Sequence, residues 1–302
     1  MNELYYTESV DSIPIRIGRT QYGRDVVVDL ARDAAHWIYQ GKTRSGKSQA
    51  SYNLLAQCAT NPAVRVVGSD PTTVLLRPFV EREHGEHYIH LGTDYQQRTV
   101  DVLRWVKAES DRRIEGMWDR RIDKYTRFSA AFPLILVVAE EFPGIIEAAT
   151  DEDAAEARKP ADRIAPRLQS LIRQLAAQSA KAGIRLLLLA QRAEANIVGG
   201  NARSNFAVKM SLRLDEPESL KMLHPTATLQ ESALAAVFPP GVGFFEQPVE
   251  RREIIRTDLV GDYAVYAQAV LTSDRGYLGN LNVDRAQREY IAESYPEIGD
   301  PG

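Results

Sequence analysis

Cysteine is almost missing from this sequence. Cys58 is the one thiol in 302 residues, so no disulfide can form within the chain, which suits a reducing cytoplasm. Cys58 itself falls on the apolar side of an expected helix and reads as a packed thiol. Long apolar runs are missing too: none reaches the roughly eighteen residues a membrane span needs. The polar start Met1-Asn2-Glu3 is unlike a signal peptide. The expectation is a cytoplasmic protein that reaches a membrane only through a partner anchored there. Positive charge is not in excess, since 37 Lys and Arg face 41 Asp and Glu for a net −4 and a pI near 5.8. A generic nucleic-acid coat is therefore excluded, and any DNA contact must be local and basic. No internal repeat and no heptad run is present. What remains is ordinary for a globular protein, 44% hydrophobic and 26% charged, long enough for one large domain or two small ones.

Against this background one stretch stands out. Gly41-Lys42-Thr43-Arg44-Ser45-Gly46-Lys47-Ser48 has two glycines that let backbone N–H groups curl around an anion, then a Lys and a Ser. Lys47 can reach the β and γ phosphates of a nucleotide, and the Ser48 hydroxyl can hold Mg²⁺. The flanks fit. Trp37-Ile38-Tyr39 precedes it as a short strand, and Leu54, Leu55 and Cys58 follow at helical spacing until Asn61-Pro62. The helix would direct the positive end of its dipole at the phosphates. The pattern predicts an NTP site.

Further strands follow. Val64-Arg65-Val66-Val67-Gly68 runs to Asp70-Pro71 and, with the loop and its helix, makes a βαβ unit and so a parallel sheet. Leu134-Ile135-Leu136-Val137-Val138 is apolar throughout, as a central parallel strand should be, and ends in Ala139-Glu140-Glu141-Phe142. Ile184 to Ala190 is another buried strand, tipped by Gln191-Arg192. Carboxylates and a polar residue at strand tips lie where open α/β sheets bind ligands. Either Glu140 or Glu141 can hold metal-bound water while the other orients the attacking water. Gln191 can sense the γ-phosphate.

Other segments carry less. Two short runs, Ile13 to Ile17 and Val26 to Val28, flank the turn at Tyr22-Gly23. His84, His87 and His90 lack metal-site spacing and read as a loop entering a strand. A long helix is expected from Val102 to about Tyr125, with Val102, Val106, Ile114, Trp118, Ile122 and Tyr125 as its buried stripe and Glu109 paired to Arg113 on the wet side. Residues 147–166 read as a mobile loop with some helix. A helix with Leu168, Leu171, Ile172 and Leu175 stops at Gly183. Val208 to Leu214 alternates like a half-exposed strand. Helices are expected over Glu216 to Leu223 and Leu229 to Val237. A hairpin of Val242 to Phe245 with Ile254-Ile255 comes next, then short helices near Tyr263 to Leu271 and Val283 to Ile291, and a disordered tail from Pro296.

Several of these stretches together resemble the FtsK/SpoIIIE family of DNA translocases, in the HerA/FtsK branch of P-loop ATPases. They are Val28-Asp29-Leu30-Ala31 with His36 before the loop, Asp70-Pro71, Leu103-Arg104-Trp105 with Arg112-Arg113, Glu140-Glu141-Phe142, and Ala182-Gly183-Ile184-Arg185-Leu186 running to Ala190-Gln191-Arg192. They span about residues 24 to 250, in order. The resemblance implies a RecA-like α/β fold, a P-loop NTPase with a central, mostly parallel sheet flanked by helices. It divides the chain into a β extension over 1–23, a motor domain over 24–271, and a helix with a tail over 272–302. It implies ATP and Mg²⁺ held by residues 41–48, with Ser48 and Glu140 on the metal, Glu141 as the catalytic carboxylate and Gln191 as sensor. Arg112 or Arg113 would be an arginine finger reaching into a neighbour's site. A homo-oligomeric ring, commonly a hexamer, would enclose double-stranded DNA, with basic residues of the 158–167 and 192–203 loops facing it. Three positions depart from the family pattern: Glu140 for Asp, Arg44 for a small residue and Ala193 for Pro. The chain would be a bare motor of the short type used in conjugative transfer. Related readings are a protein-secretion or genome-packaging ATPase, or a nucleotide-gated scaffold that does not hydrolyse.

Overall fold

The computed structural model describes residues 9–33, 35–83, 88–192, 205–248 and 250–273. Its frame is one ten-stranded sheet in the order β2-β1-β10-β9-β8-β3-β7-β6-β4-β5. Six neighbours from β8 to β5 run parallel: β8 (Val208–Ser211), β3 (Trp37–Gln40), β7 (Ile184–Ala190), β6 (Leu134–Ala139), β4 (Val64–Asp70) and β5 (Ile89–Leu91). The other four are antiparallel: β9 (Val242–Glu246), β10 (Glu253–Thr257), β1 (Pro14–Thr20) and β2 (Asp25–Asp29). The central parallel strands β3, β6 and β7 are buried along their whole length, as covering both faces of a parallel sheet requires.

Helices cover the two faces and divide the core. Trp37, Tyr39, Leu187 and Leu189 share one apolar cluster with α1 (Lys47–Ala59). Ile38, Leu186 and Leu188 share another with α3 (Gln97–Arg120), α4 (Phe142–Ala155) and α5 (Ile164–Gln178). Successive β7 residues thus serve opposite faces, the period-two rule of a strand. The short α2 (Arg77–Glu83) follows β4, while α6 (Glu218–Leu223) and α7 (Leu229–Val237) sit with Leu214, Phe238 and Phe244 in a third cluster. Helix α8 (Tyr263–Thr272) returns to the α1 side, where Tyr266 stacks on Tyr52 with centroids 4.3 Å apart.

Four expectations need correction. The boundary at residue 23 cuts a hairpin, because β1 pairs with β2 across it and with β10 on its other edge. The N-terminal strands belong to the common sheet. Helix α3 begins and ends about one turn earlier than expected, stopping where Arg121 turns left-handed at φ 54°. Its buried side is Val100, Val102, Leu103, Val106, Arg113 and Met117, while Ile114, Trp118 and Ile122 lie on the outside. Trp118 is 73% exposed, with the Arg121 guanidinium 4.1 Å over its ring. Third, residues 147–166 are ordered by α4 and an ionic knot. Arg158 pairs with Glu152, Asp153 and Glu156, and buried Asp153 accepts the Ile164 and Ala165 amides that open α5. Those amides would otherwise be orphaned at a helix start. Fourth, β8 is not half-exposed: its outward Lys209 is packed beside Glu246 of β9 at 2.9 Å. His90 is buried and bonded to Thr99 Oγ1 at 2.7 Å. His84, His87, residues 193–204 and everything from 274 onward, including the expected last helix and tail, lie outside the described residues.

Candidate nucleotide site

Three neighbouring strands, β3, β7 and β6, end side by side, and the functional side chains follow their tips. After β3 the chain turns through residues 41–46 into α1. Gly46 is left-handed at φ 95°, and a Cβ there would stand 2.5 Å from the Gly241 nitrogen. That closeness is used, because the Gly241 amide donates to the Ser45 carbonyl at 2.8 Å. Arg44 is also left-handed at φ 64° and exposed, and its carbonyl accepts from Arg213 Nη2 at 3.2 Å. The Lys42 amide donates to the Arg213 carbonyl at 2.9 Å, and Lys42 Nζ lies 2.9 Å from Asp215. So the loop is gripped by the chain beyond β8 and by the turn before β9. Thr43 and Ser48 are exposed, while Ser45 is buried and its hydroxyl has no partner. The residue pattern that makes the loop is legible; the residues that brace it are not, since nothing in 211–215 or 239–241 resembles a motif.

After β6 the two carboxylates part company. Glu141 is left-handed at φ 46° and caps α4. Its Oε2 lies 2.8 Å from Lys47 Nζ, and its Oε1 accepts the Gln191 amide at 3.1 Å. The tips of β3, β6 and β7 are thereby tied at a single carboxylate. Gln191 contributes this backbone amide, and its side chain is exposed. Glu140 is held differently. Its Oε2 is buried with no hydrogen-bond partner. Burial, then the neighbouring charge of Asp70, push its carboxyl up to about 7, against a smaller downward pull from Lys47. Asp70, at the tip of β4, is itself spent on structure, accepting the amides of Thr72, Thr73 and Leu76 and the Thr72 hydroxyl.

Glu140 suits a divalent cation. An orphaned carboxylate oxygen, destabilised by two neighbouring carboxylates, gains most from a positive ion placed beside it. Beside Glu141, a groove of about 980 Å³ is lined by Asp94, Glu147, Asp151 and Glu152.

The two arginines expected to act in trans differ sharply. Arg113 is 2% exposed. It binds Glu109 at 2.6 Å and the carbonyls of Ala182 and Pro133, with Phe132 under its guanidinium at 4.1 Å. It ties α3 to the strand starts and cannot reach out to a neighbour, which corrects the expectation for this residue. Arg112 lies on the outer face, 64% exposed at the side chain and paired with Glu109 at 2.7 Å. Of the basic residues expected to face DNA, Arg158 is consumed by its three carboxylates, and Arg192 pairs with Glu216 at 2.9 Å. Lys159 and Arg163 are exposed.

The resembling stretches also include structural residues. The His36 Nδ1 accepts the Leu186 amide at 3.0 Å, and buried Arg185 donates to the carbonyls of Leu30 and Ala180. These contacts lock the chain before β3 to β7.

The FtsK/SpoIIIE family model matches residues 2–177, more than half of the chain. The chain belongs to the FtsK/SpoIIIE family. Among curated relatives, the DNA translocase FtsK of Borreliella burgdorferi is 27% identical over 212 residues, covering 66% of this chain and 24% of that protein. The FtsK of Chlorobaculum tepidum is 28% identical over 219 residues, 67% of this chain and 25% of that protein. This chain therefore spans about a quarter of the length of these relatives. Of solved structures, the pCW3 conjugation coupling protein TcpA, in a monomer form with ATPγS, superposes with a TM-score of 0.65 at 16% identity, covering 91% of this chain and 73% of that one. ATPases 2 and 3 of EssC from Geobacillus thermodenitrificans give 0.62 at 14% identity, with 98% of this chain and 51% of that one covered. These similarities match the FtsK-type domain to a P-loop ATPase fold. No helix among the described residues is long and apolar enough to cross a membrane.

Proposed function

We propose that this FtsK-type domain hydrolyses ATP and uses the energy to move double-stranded DNA through a ring of its own copies, in conjugative transfer. The observation that carries the hydrolytic part is the Lys47–Glu141 contact of 2.8 Å. It joins the phosphate-binding lysine to the carboxylate placed to orient water. Phosphate arriving in the loop competes for Lys47 and releases Glu141 from it. The freed carboxylate, still anchored by the Gln191 amide, then holds the attacking water and accepts its proton. Mg²⁺, held by Ser48 and Glu140, would supply charge neutralisation at the β and γ oxygens. A cation there would favour the ionised carboxylate, offsetting the burial and the neighbouring charge that raise the Glu140 pKa.

The ring reading rests on the family and on two surfaces. Arg112 is the exposed arginine of its pair. The acidic groove beside Glu141 offers carboxylates to a guanidinium from a neighbouring copy, and its field would steer the arginine in. Among the described residues of the 158–167 and 192–203 loops, Lys159 and Arg163 are exposed cations that can meet DNA phosphates, and a grip of this ionic kind weakens with salt.

The test is steady-state ATP hydrolysis with and without duplex DNA at low and high salt. The reading expects DNA to stimulate turnover, salt to abolish the stimulation and Lys47→Ala to abolish turnover. Hydrolysis unchanged by DNA at low salt refutes the DNA motor. Stimulation by a peptide in its place would point to a secretion ATPase.

A further inference from the structure

A buried chain of polar side chains leads away from the phosphate loop and takes no part in the chemistry above. Gln40, the last residue of β3 and the one before Gly41, donates from Nε2 to Ser211 Oγ at 2.7 Å and to the Ser219 carbonyl at 3.2 Å. Ser211 Oγ meets His224 Nε2 at 2.9 Å, and His224 Nδ1 meets Glu246 Oε2 at 2.7 Å. Gln40, Ser211 and His224 are all fully buried. Glu246 is anchored in turn by Lys209 at 2.9 Å and Arg252 at 3.6 Å, and Arg252 also forks onto Glu231, the residue that closes the capping box of α7.

We infer that Gln40, Ser211, His224 and Glu246 form a relay that positions the phosphate loop for nucleotide, with Ser211 and His224 as positioning residues. This rests on the reading of residues 41–48 as a nucleotide site. Geometry supports it at both ends. Ser211 is followed directly by the residues that grip the loop: the Leu212 amide donates to the Gln40 carbonyl at 3.0 Å, and the Arg213 carbonyl accepts the Lys42 amide. A Cβ on Gly41 would meet Leu212 Cβ at 3.0 Å, so a small shift of β8 moves the loop. Serine, histidine and carboxylate at these distances also describe a hydrolytic triad, but Ser211 and His224 have no exposure. No substrate can reach that hydroxyl, and a positioning role is what remains.

The ends of the chain fix the bond directions for a neutral ring. Gln40 Nε2 can only donate, so Ser211 Oγ accepts there, and the Glu246 carboxylate can only accept, so His224 carries its proton on Nδ1. In the neutral imidazole Nε2 is then the acceptor for the Ser211 proton. Burial, the largest cause, holds His224 below its ordinary pKa; Glu246 opposes this, while Arg252 and Lys209 add to it. Glu246 stays ionised, held well down by the hydrogen bond from His224 and by Lys209. A protonated imidazole would reverse the bond to Ser211, so the neutral ring is the form that keeps the relay aligned.

The test measures affinity for a fluorescent, non-hydrolysable ATP analogue with Mg²⁺, together with KM, kcat and the melting curve. The proteins compared are wild type, Lys47→Ala, Ser211→Ala, His224→Ala, the Ser211→Ala/His224→Ala double variant and Glu246→Gln. The relay predicts about tenfold weaker binding and a matching rise in KM for each alanine variant, with kcat at saturation within about twofold because Glu141 and Gln191 are untouched. The double variant should be no weaker than the worse single one, because residues acting in series are not additive. Glu246→Gln, which keeps size and an acceptor, should fold normally and weaken binding about two- to threefold, so the idea stays testable if a buried alanine variant unfolds. Normal melting with unchanged affinity in the relay variants overturns the relay alone, provided wild type binds and Lys47→Ala does not. So does a fully additive double variant. Wild-type protein that binds no analogue overturns the nucleotide site and the relay with it.

Discussion

The six parallel strands and the four antiparallel ones serve the phosphate loop in different ways. In the parallel half the groups proposed to react sit at neighbouring tips: the loop after β3, Glu140 and Glu141 after β6, and Gln191 after β7. Among the described residues, the antiparallel flank offers no reactive group to the loop. It supplies backbone, as when Gly241 before β9 packs on Gly46, and buried polar support, as when Glu246 holds His224. On the proposed reading, one half supplies the reacting side chains and the other supplies main-chain placement and buried polar support. Damage to the strand-tip carboxylates should cost rate at full nucleotide occupancy, damage to Lys47 should cost both binding and rate, and damage to the antiparallel flank should cost nucleotide affinity alone.

The largest effect that sharpens this contrast is expected from Lys47→Ala. Loss of the lysine from the tip cluster should lower ATP turnover by about 10²–10³-fold, read in a phosphate-release assay, with little change in melting temperature. Gly46→Ala attacks the same loop from the bracing side. Its Cβ would meet Gly241 backbone at 2.5 Å and its φ of 95° disfavours any side chain. Binding of an ATP analogue should weaken about tenfold or more, and the protein should lose about 1–3 kcal/mol of stability in urea unfolding. If Gly46→Ala binds nucleotide normally, the bracing role of the antiparallel flank is wrong.

Arg112 and Arg113 provide the next contrast. Arg113→Ala strips a buried guanidinium from Glu109 and two carbonyls and should cost about 3–5 kcal/mol. Arg112→Ala removes an exposed pair and should cost less than about 1 kcal/mol. In return, Arg112→Ala should lower turnover of assembled protein, rescued by mixing in copies that carry Arg112 but lack Lys47. Equal stability losses would remove the distinction between the two residues.

The last effect, which opens only as pH rises, concerns Glu140. Its folded-state pKa, about 7, lies above the ordinary 4.5, so its ionisation is disfavoured in the folded chain. The stability it lends is full below pH 4.5 and is lost as pH rises through 7. Glu140→Gln, free of this loss, should therefore exceed wild type by about 1–3 kcal/mol at pH 8 without Mg²⁺, and the gap should close by about pH 4.5. A gap that is constant with pH would contradict the burial and charge argument.

Much of the tip half was legible from residues alone. Apolar runs with a glycine-rich loop or a carboxylate pair at their ends mark buried parallel strands and their ligand side, and β3, β4, β6 and β7 fall where those runs lie. Helix α3 was misread because Arg120-Arg121-Ile122-Asp123 carries no glycine or proline to mark its stop, and because Ile114 and Trp118 look like core residues by spacing. Arg113 reads as a surface charge from the sequence and becomes internal only because two carbonyls from distant segments converge on it. Some helix is expected within residues 147–166 and α4 supplies it, but the order of the segment is not legible, since the Arg158 knot that fixes it joins residues of mixed charge. The bracing contacts were invisible for the same reason. They are long-range, involve main chain as often as side chain, and leave no pattern at short spacing.

The claim on which the account depends is that Lys47 and Glu141 are the binding and water-orienting halves of one ATP site. Its most direct test is phosphate release measured in a single turnover, with nucleotide occupancy matched between wild type and Glu141→Gln. The account predicts that Glu141→Gln binds ATP·Mg²⁺ at least as tightly as wild type, since Lys47 is no longer claimed by a carboxylate, yet releases phosphate about 10²–10³-fold more slowly. Release at the wild-type rate from equally loaded Glu141→Gln would contradict it.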